Sequence, residues 1–419
     1  MSTAIYWFRN DLRLEDNPAL MMACKSVDTL LPIYIHEEKL KQETQWGFSR
    51  LGQHRKTFLQ ESIEDLCGQL RRLGSDLFEL AGNYRELFLQ LRNHFGVTQI
   101  YCEHIEAPEE LEQIKALREL GFEVVCVWQS SMLDPHSLPF QLEQMPDVFT
   151  QFRRQVEKQE LRFAHPIDAV KDIPPLPNKE MPNHLHRISS LVNPKRPFIG
   201  GEGKAGQHIN QYFERRLVDT YKHTRNQLIG IDCSSKFSPW LAMGCYSARV
   251  IVKKLAVYEN QHGANDGTYW LWFELLWRDY FRFLHFKYGK SLYQSKGLAN
   301  IKANQFNENY FHQWSSGNTG ESFVDSGMRE LKSTGFLSNR MRQIVASYWV
   351  YNMRGDWRAG AAWFESQLID YDVYSNQGNW LYIAGKGTDP RGGRPFNVTK
   401  QAKDHDPEGI YQSMWLGVT

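Results

Sequence analysis

The sequence lacks the features that mark membrane, secreted and disulfide-rich proteins. No stretch approaches the roughly 20 consecutive apolar residues that span a bilayer, and the opening MSTAIYWFRNDLRL lacks the basic-then-apolar order of a signal peptide. The six cysteines show no Cys-x-x-Cys spacing, so no zinc site is indicated. We therefore expect a cytoplasmic protein with reduced thiols, without a metal site or a membrane segment.

Several catalytic motifs are missing as well. The sequence contains no His-Glu-x-x-His and no Gly-x-Ser-x-Gly pattern. The glycines of GGEGKAG (200–206) and GKGTDPRGG (385–393) do not lie between the strand and the helix of a βαβ unit, so neither is a dinucleotide or phosphate-loop motif. Both stretches are interpreted as turns.

Charged residues and tryptophans are distributed unevenly along the chain. Residues 1–130 carry 14 Lys and Arg against 20 Asp and Glu, whereas the remainder carries 35 against 28. A polyanion would bind the basic part, although two differently charged surfaces without a partner explain the same numbers. Ten of the 13 tryptophans follow residue 200, which is more than core packing usually demands. The second half of the chain therefore needs a functional explanation.

With 419 residues the chain has the length of two domains. In its first part, short apolar runs alternate with helical patterns. The runs are 4–8, 29–35, 98–102 and 123–128, and the helical patterns are 52–73 and 108–120. This alternation predicts a Rossmann-like α/β domain with a parallel sheet over residues 1–130.

The rest of the chain has a different character. Residues 131–200 are rich in Pro, Gln, His and Asn and lack sustained periodicity, so they are predicted to be an interdomain connection. From residue 201 to 419 no strand pattern remains, and long helical patterns such as 267–288 and 337–351 predict an all-α domain.

Two segments offer binding groups, each with a structural alternative. WFRNDLRLEDN (7–17) places arginines and acids at the sheet edge where open α/β folds bind ligands, or it forms an intradomain salt-bridge cluster. Ser234, Ser235 and Ser238 precede a helix that is predicted to begin near Pro239. Their hydroxyls either cradle a phosphate or cap the helix.

The helix predicted at 267–288 carries charge among aromatic side chains. Glu274 and Arg278 are four residues apart, with Trp277 beside them. A surface ion pair would explain the two charges, but the surrounding residues are too apolar for a solvated face. Charge buried beside aromatic rings favours a functional site on this helix.

The stretch from Asn339 to Tyr382 is the most distinctive part of the sequence. It combines clustered arginines, two aspartates and two tryptophans 23 residues apart, each of which alone is explained by caps, solvated acids or core packing. Together with the earlier segments, these residues resemble the photolyase–cryptochrome family along essentially the whole chain. WFRNDLRLEDN is similar to the family's first strand and loop. NRMRQ, DWRAG and LIDYD followed by NQGNW are similar to its flavin-binding core.

Within that family the chain resembles the DASH cryptochromes most. PFIGGEGKA (197–205) is similar to their F-x-G-G-E element, and Gln343 and Tyr382 stand where other photolyases commonly have Met and Trp. The third tryptophan of the family's electron-transfer chain falls near Asn304–Phe306 here, so Trp314 or a nearby tyrosine would have to replace it.

The resemblance implies FAD bound inside the helical domain. Asn376 would face flavin N5, while Trp380 and Trp357 would be the first two tryptophans that photoreduce the flavin. The residues implied in holding the cofactor are Tyr221, Ser234, Ser235, Lys236, Phe237, Ser238, Arg278, Asn339, Arg342, Asp370, Asp372 and Asn376.

The resemblance also implies light-driven electron transfer from reduced FAD to a cyclobutane pyrimidine dimer in DNA. Glu274 would hydrogen-bond the dimer and Trp277 would stack on it, once the dimer has left the base stack. Arg225 and Arg340 would contact phosphates.

Gln343 and Tyr382 would weaken the wedge that stabilises a flipped dimer in a duplex. We therefore predict repair mainly in single-stranded DNA. Asn339 stands where the (6-4) photolyases have a catalytic histidine, which argues against that lesion.

An antenna pigment, most often a folate such as methenyltetrahydrofolate, would bind the α/β domain at Glu109, and the protein is expected to be a monomer. The alternative function is a blue-light photoreceptor that uses the same flavin photochemistry to change its affinity for a partner. Signalling cryptochromes commonly carry a C-terminal extension, whereas this sequence ends soon after Trp415, which favours repair. A nucleic-acid binder without photochemistry would carry no flavin.

Overall fold

The computed structural model describes residues 2–182, 185 and 198–417. Its N-terminal part contains a parallel sheet in the order β3-β2-β1-β4-β5. The strands are β1 (Thr3–Phe8), β2 (Thr29–Glu37), β3 (Phe78–Gly82), β4 (Gln99–Glu103) and β5 (Glu123–Val127). This is the doubly wound order, in which the chain reverses direction across the sheet between β1 and β4. The predicted Rossmann-like fold class is confirmed.

Helices cover both faces of the sheet, and further helices joined by loops follow it. They are α1 (Pro18–Ser26), α2 (Gln53–Arg72), α3 (Tyr84–Phe95), α4 (Pro108–Glu119), α5 (Phe149–Lys158), α6 (Glu202–Glu214), α7 (Tyr221–Thr224), α8 (Ser238–Ala242), α9 (Ala248–His262), α10 (Asp266–Tyr288), α11 (Glu308–Ser316), α12 (Ser322–Thr334), α13 (Asn339–Ser347), α14 (Trp357–Gln367), α15 (Val373–Ile383), α16 (Val398–His405) and α17 (Ile410–Leu416). A π-helical turn, Tyr348–Asn352, follows α13. Among the described residues no strand follows β5, which agrees with the predicted all-α part.

The side chains of β1 alternate between the two faces of the sheet, so they contribute to two separate layers of the apolar core. Tyr6 and Phe8 pack with α1 and α2, whereas Ile5 and Trp7 pack with α3 and α4, because successive side chains of a strand point to opposite faces. The first of these apolar clusters continues into the helical part, where it includes Trp240 and Tyr280. The two predicted domains therefore share buried surface, and their boundaries stay a prediction.

Several elements were not predicted, among them α1, α3, β3 and α5. β3 is an edge strand of which only Leu80 is buried, so its sequence shows no apolar run. α5 lies inside the stretch 131–200, which the sequence suggested to be without regular structure. Its Phe149, Phe152 and Val156 are buried, so this part of the connection packs against the core. Residues 183–184 and 186–197 of the connection lie outside the described residues.

The segment after β1 attaches the sheet to the helical part. Arg13 Nη1 donates to the carbonyl oxygen of Gly244 at 3.0 Å, and Asp16 accepts from Ser247 and from Arg249 Nε, the latter at 2.8 Å. A Cβ on Gly244 would lie 1.8 Å from the oxygen of Asn10, and its φ of +67° also favours glycine. These contacts are structural, but the ion pair of Asp16 is formed with Arg249 of the helical part, so the predicted intradomain cluster is wrong.

Within the described residues, no helix has the length and apolar character needed to cross a membrane. No group of three or more His, Cys, Asp or Glu side chains that could hold a metal ion occurs there either.

Asp279 of α10 fixes the start of the connection to the helical part. Its two carboxylate oxygens accept from the backbone N–H groups of Met132 at 3.0 Å and Leu133 at 2.8 Å, in a fully buried position. We predict that Asp279→Ala lowers the free energy of unfolding by about 2–4 kcal/mol, because two buried N–H groups lose their acceptor. Denaturant unfolding measures this change. The matched substitution Asp404→Ala, at an exposed position of α16, should change it by less than about 0.5 kcal/mol. If the two substitutions lowered the free energy of unfolding equally, Asp279 would not have this structural role.

Candidate functional site

The helical part encloses a cavity of about 560 Å³. This volume falls within the range of roughly 300–1,000 Å³ that is typical of small-molecule sites. Its walls come from α10, α13 and α15, together with the segments around Tyr221, Ser234–Ser238 and Asp370. Segments far apart in sequence therefore meet at one cavity.

Most residues suggested by the sequence line this cavity. They are Tyr221, Arg225, Ser234, Ser235, Lys236, Phe237, Ser238, Glu274, Trp277, Arg278, Asn339, Arg342, Gln343, Asp370, Asp372, Asn376, Trp380 and Tyr382. Three others, Trp357, Arg340 and Glu109, do not line it.

The serine segment presents hydroxyl groups to the cavity. α8 begins at Ser238, and no side chain caps its N-terminus, so the capping interpretation of these serines is wrong. The preceding Lys236 has a left-handed backbone with φ of +54°. Its ammonium lies 5.0 Å from the centre of the Phe336 ring, and the Arg342 guanidinium lies 5.2 Å from the same ring. Two cations thus flank one side of the cavity beside the serine hydroxyls.

Two aspartates also line the cavity, each paired with an arginine. Arg342 Nη2 contacts Asp370 Oδ2 at 2.7 Å, and Arg282 Nη2 contacts Asp372 Oδ2 at 2.5 Å. Burial alone would raise the pKa of Asp372, but Arg282 and then Arg278 outweigh it and lower this pKa to about 2. Asp372 also caps α15 by accepting from Ser375 N at 2.7 Å. It is therefore an anion at neutral pH.

The cavity contains buried polar atoms without a partner among the described residues. They include Asp370 Oδ1 and Trp380 Nε1. Buried polar atoms are nearly always hydrogen-bonded in folded proteins, so such orphans indicate a missing ligand or water. An acceptor, an indole donor, two cations and serine hydroxyls around one cavity fit a cofactor with a phosphate group and a polar ring system, such as FAD.

Glu274 and Arg278 are not paired with each other, contrary to the simple surface-pair interpretation. Glu274 forms an ion pair with Arg225, whose guanidinium lies 4.3 Å from the centre of the Trp270 ring. Burial raises the pKa of Glu274, and Arg225 opposes this shift. Arg278 instead donates to the carbonyl oxygens of Ser130 at 2.5 Å and Leu241 at 3.3 Å. Burial, followed by the neighbouring Arg282, lowers the pKa of Arg278 to about 10.

Trp277 lines the cavity with an aromatic ring. Its ring stacks on Phe149 of α5 with centroids 3.6 Å apart and meets Tyr382 edge to face at 5.6 Å. Tyr382 is held in turn by Arg394, whose Nη2 donates to the tyrosine hydroxyl oxygen at 2.9 Å. The connection and the loop 385–394 therefore both support the aromatic residues that the sequence singled out.

Trp380 lines the cavity and is only 2% exposed. Its ring packs against Gly360 of α14, where a Cβ would come within 2.2 Å of it. Trp357 lies one turn earlier on α14 and is buried, with Nε1 donating to the oxygen of Ser295 at 3.0 Å. Another tryptophan, Trp314, meets the Trp380 ring edge to face, with ring centroids 6.2 Å apart.

Trp314 in turn stacks on Trp349 at 5.2 Å. Trp349 lines a surface pocket together with Asn304 and Gln305, which occupy the stretch where the family's third tryptophan was expected. Ring contacts therefore run from the cavity to this surface pocket.

Arg340 and Glu109, which the sequence also suggested, do not line the cavity. Arg340 donates to Gln343 Oε1 at 3.1 Å and so lies beside the cavity, behind a residue that lines it. Glu109 already pairs with Lys39 at 2.5 Å and with Arg50 at 3.0 Å, and Arg50 also contacts Glu365 of α14. Glu109 thus belongs to an ion-pair network between the α/β and helical parts.

Sequence reasoning missed two arginines of the site. Arg282 pairs with Asp372, and its position four residues after Arg278 in an apolar helix was a usable signal. Arg394 lines the cavity from the glycine-rich loop that was interpreted only as a turn, and no local pattern distinguishes it.

Comparison with known proteins agrees with this geometry. The family model for DNA photolyase matches residues 4–176, and the model for the FAD-binding domain of DNA photolyase matches residues 270–418. The second range includes most of α10 and all of α13 and α15, which form much of the cavity wall.

Similar proteins span nearly the whole chain. A cryptochrome DASH of Synechocystis sp. is 41% identical, with 99% of this chain and 87% of the relative covered. A cryptochrome DASH of Xenopus laevis is 42% identical, covering 97% of this chain and 81% of the relative. The crystal structure of a Synechocystis sp. cryptochrome superposes with a TM-score of 0.94 at 40% identity, covering 100% of this chain and 89% of that one.

A bacterial class III photolyase from Agrobacterium tumefaciens superposes with a TM-score of 0.83 at 25% identity, covering 100% of this chain and 87% of that one. Family models, full-length relatives and solved structures lead to the same assignment. This chain belongs to the photolyase–cryptochrome family.

Proposed function

We propose that this protein repairs cyclobutane pyrimidine dimers in single-stranded DNA in a light-driven reaction that depends on FAD. One observation carries the proposal: Glu274 and Trp277 line the same cavity as Asp370, Asp372 and Trp380. A dimer-binding wall and a cofactor-binding wall therefore face one enclosed space. The family's flavin-binding domain and the DASH names of the relatives support this assignment.

The cofactor would lie between the serine segment and the aspartates. Lys236 and the Ser234–Ser238 hydroxyls would bind its phosphates. Asp370 Oδ1 would accept a hydrogen bond from it, and Arg278, Asn339, Arg342 and Asp372 would surround its polar groups. Asn376 donates to the oxygen of Ala361 at 3.0 Å, which fixes its amide at the cavity wall where the flavin ring would face it. Reduced FAD, when bound and excited, supplies the electron that opens the dimer.

Arg225 and Glu274 would act as a coupled pair in substrate binding. In the free protein Arg225 neutralises Glu274. A phosphate of the DNA would attract Arg225 away, and burial would then favour the protonated carboxyl. Protonated Glu274 can donate a hydrogen bond to a carbonyl oxygen of the dimer and stabilise the negative charge that develops there. Arg340 would contact a second phosphate.

The mouth of the cavity is suited to a base that has left its stack. Trp277 would stack on the flipped dimer, held in place by Phe149. Gln343 and Tyr382 present less apolar surface than the Met and Trp that other photolyases commonly carry. Tyr382 is also restrained by Arg394. These side chains would therefore stabilise a flipped dimer in a duplex only weakly. Single strands are favoured, because no base pair has to be opened in them.

Photoreduction would begin at Trp380. Trp357 on α14 and Trp314 are both placed to supply an electron to it, and the stack of Trp314 on Trp349 offers a route towards the surface. We propose this second route as the replacement for the tryptophan that is missing near Asn304. Indole rings suit the task because they are oxidised reversibly and pack in series.

The alternative is a photoreceptor, which the cryptochrome names of the relatives favour. An antenna folate at Glu109 remains part of the proposal, although it would have to compete with Lys39 and Arg50 for that carboxylate. The cytoplasmic location and the monomeric state stay predictions from the sequence.

The central test illuminates the reduced, flavin-loaded protein with a single-stranded oligonucleotide that contains one thymine dimer. We predict light-dependent recovery of thymines, at a rate at least about tenfold above that for the same lesion in a duplex, since opening a pair costs a few kcal/mol. Chromatography that separates the repaired oligonucleotide from the dimer-containing one measures both rates. Equal rates on the two substrates would refute the single-strand preference. No recovery with flavin bound would favour the photoreceptor.

Glu274 provides a second prediction. Glu274→Ala should lower the repair rate about tenfold or more, whereas Glu274→Gln, which keeps an N–H donor, should stay within about threefold of the unchanged protein. Because the carboxyl must be protonated to donate, repair should decline as pH rises through the pKa of Glu274 and should be independent of that titration in Glu274→Gln.

Arg225→Gln removes the cation that opposes the raised pKa of Glu274 in the free protein, so the decline of kcat/KM should move to higher pH. Repair rates across a pH series, with flavin content checked for each variant, provide the measurement. An identical pH profile for the unchanged protein and Glu274→Gln would show that Glu274 is not the donor.

A further inference from the structure

Two cysteines face each other outside the cavity, on neighbouring strands of the sheet. Cys102 of β4 and Cys126 of β5 are direct partners in the parallel register, and their sulfur atoms lie 3.8 Å apart. A disulfide needs about 2.05 Å between sulfurs and a Cα separation of roughly 4.4–6.8 Å. Neighbouring strands lie about 4.8 Å apart, so the backbone already satisfies the second requirement.

The two thiols differ in access. Cys102 is fully buried, whereas Cys126 is partly exposed on β5, which forms an edge of the sheet. A small oxidant that reaches the pair would therefore meet Cys126 first. Cys102 is placed to react with whatever forms on Cys126.

A histidine and a glutamate accompany the pair. His104 follows β4 and contacts Glu106 Oε2 at 2.7 Å through Nε2. Its ring lies parallel to Phe286 of α10, with centroids 6.0 Å apart, and beside Trp128 at 6.0 Å. Carboxylate and aromatic neighbours therefore fix the imidazole next to the thiols.

Charge is arranged to favour a thiolate on Cys126. The hydrogen bond from Cys102, followed by that from His104, lowers the pKa of Cys126. Burial would lower the pKa of His104, but its hydrogen bonds to Cys126 and Glu106 raise it to about 9. By contrast, burial raises the pKa of Cys24 and of Cys67 to about 11.

We propose that Cys126 and Cys102 form a peroxide-responsive thiol pair, in which Cys126 is the attacking sulfur, Cys102 the resolving sulfur and His104 the proton donor. The proposal does not depend on the repair function, because none of these side chains lines the cavity.

The reaction balances with one hydroperoxide as the two-electron oxidant. The Cys126 thiolate attacks a peroxide oxygen, the O–O bond breaks, and the leaving hydroxide takes the proton of His104 to give water and Cys126 sulfenic acid. The Cys102 sulfur then attacks the Cys126 sulfur, the S–O bond breaks, and water leaves with the Cys102 proton. A disulfide and two waters result. A cellular thiol reductant reverses the reaction by thiol–disulfide exchange.

Oxidation of Cys102 and Cys126 would also affect helices outside the sheet. His104 would lose the Cys126 thiolate as a neighbour but keep Glu106 and its stack on Phe286 of α10. The adjacent Glu106 N–H donates to the hydroxyl oxygen of Tyr374 of α15 at 2.6 Å. α10 and α15 both supply cavity walls, so the thiol pair is in physical contact with the elements of the candidate site.

The test treats the flavin-loaded full chain with hydrogen peroxide in the dark, blocks free thiols with N-ethylmaleimide and maps the cysteines by peptide mass spectrometry. We expect a Cys102–Cys126 crosslink that a reductant removes. Cys102→Ser should instead accumulate a sulfenic acid on Cys126 that dimedone traps, and Cys126→Ser should leave Cys102 reduced. His104→Gln should slow the oxidation of Cys126 about tenfold, because the thiolate fraction falls.

Cys67→Ser is the matched control, since Cys67 is also half-buried but has a raised pKa, and this variant should form the crosslink at the unchanged rate. In the unchanged protein the alkylation rate of Cys126 should vary little between about pH 6 and pH 8, whereas that of Cys67 should rise. This profile tests the thiolate without any substitution. Absence of the crosslink, oxidation of Cys67 as fast as Cys126, or an unaltered rate in a folded His104→Gln variant would overturn the proposal.

Discussion

A buried ion pair between Arg282 of α10 and Asp372 at the start of α15 joins the parts of the molecule that build the cavity. The Arg282 side chain is only 3% exposed, and its guanidinium also lies 4.8 Å from the centre of the Tyr374 ring. Its Nε donates to Ser130 Oγ at 3.3 Å, and Tyr374 accepts from the backbone of Glu106. One guanidinium thus connects the two helices, the residue Ser130 after β5 and, through Tyr374, the segment after β4.

This arrangement explains how a helix as aromatic as α10 can carry charges. Removing an ion from water costs several kcal/mol, which only well-aligned partners recover. On α10 the charges of Arg278, Asp279 and Arg282 have such partners, which are supplied by residues 130–133, Leu241 and Asp372. Arg278 donates to the carbonyls of Ser130 and Leu241, Asp279 accepts from the N–H groups of Met132 and Leu133, and Arg282 meets Asp372. The charges therefore determine which segments surround the helix. Their placement leaves Glu274 and Trp277 facing the cavity.

The sequence predicted those features that local physics determines. Buried strands and long amphipathic helices have periodic patterns, so β1, β2, β4, β5 and α10 were found, whereas the half-exposed edge strand β3 left no apolar run. The set of cavity residues came from the resemblance to a family, because residues such as Tyr221 and Asp370 carry no signal of their proximity. Local rules failed where a partner is distant in sequence. Helical spacing suggested Glu274 with Arg278, but Glu274 meets Arg225, and Arg282 meets a carboxylate 90 residues away.

The central claim is that Arg282 and Asp372 act as one unit, and a double-mutant cycle on the free energy of unfolding tests it most directly. Asp372→Asn keeps a cap for α15 and Arg282→Met keeps the packing of the stem, so each single substitution mainly removes one charge. We predict that each single variant loses about 3–5 kcal/mol, because the remaining charge is left buried and unpaired. The double variant should lose at least about 2 kcal/mol less than the sum. Effects that add to within about 0.5 kcal/mol would contradict the account, since they would show two independent side chains.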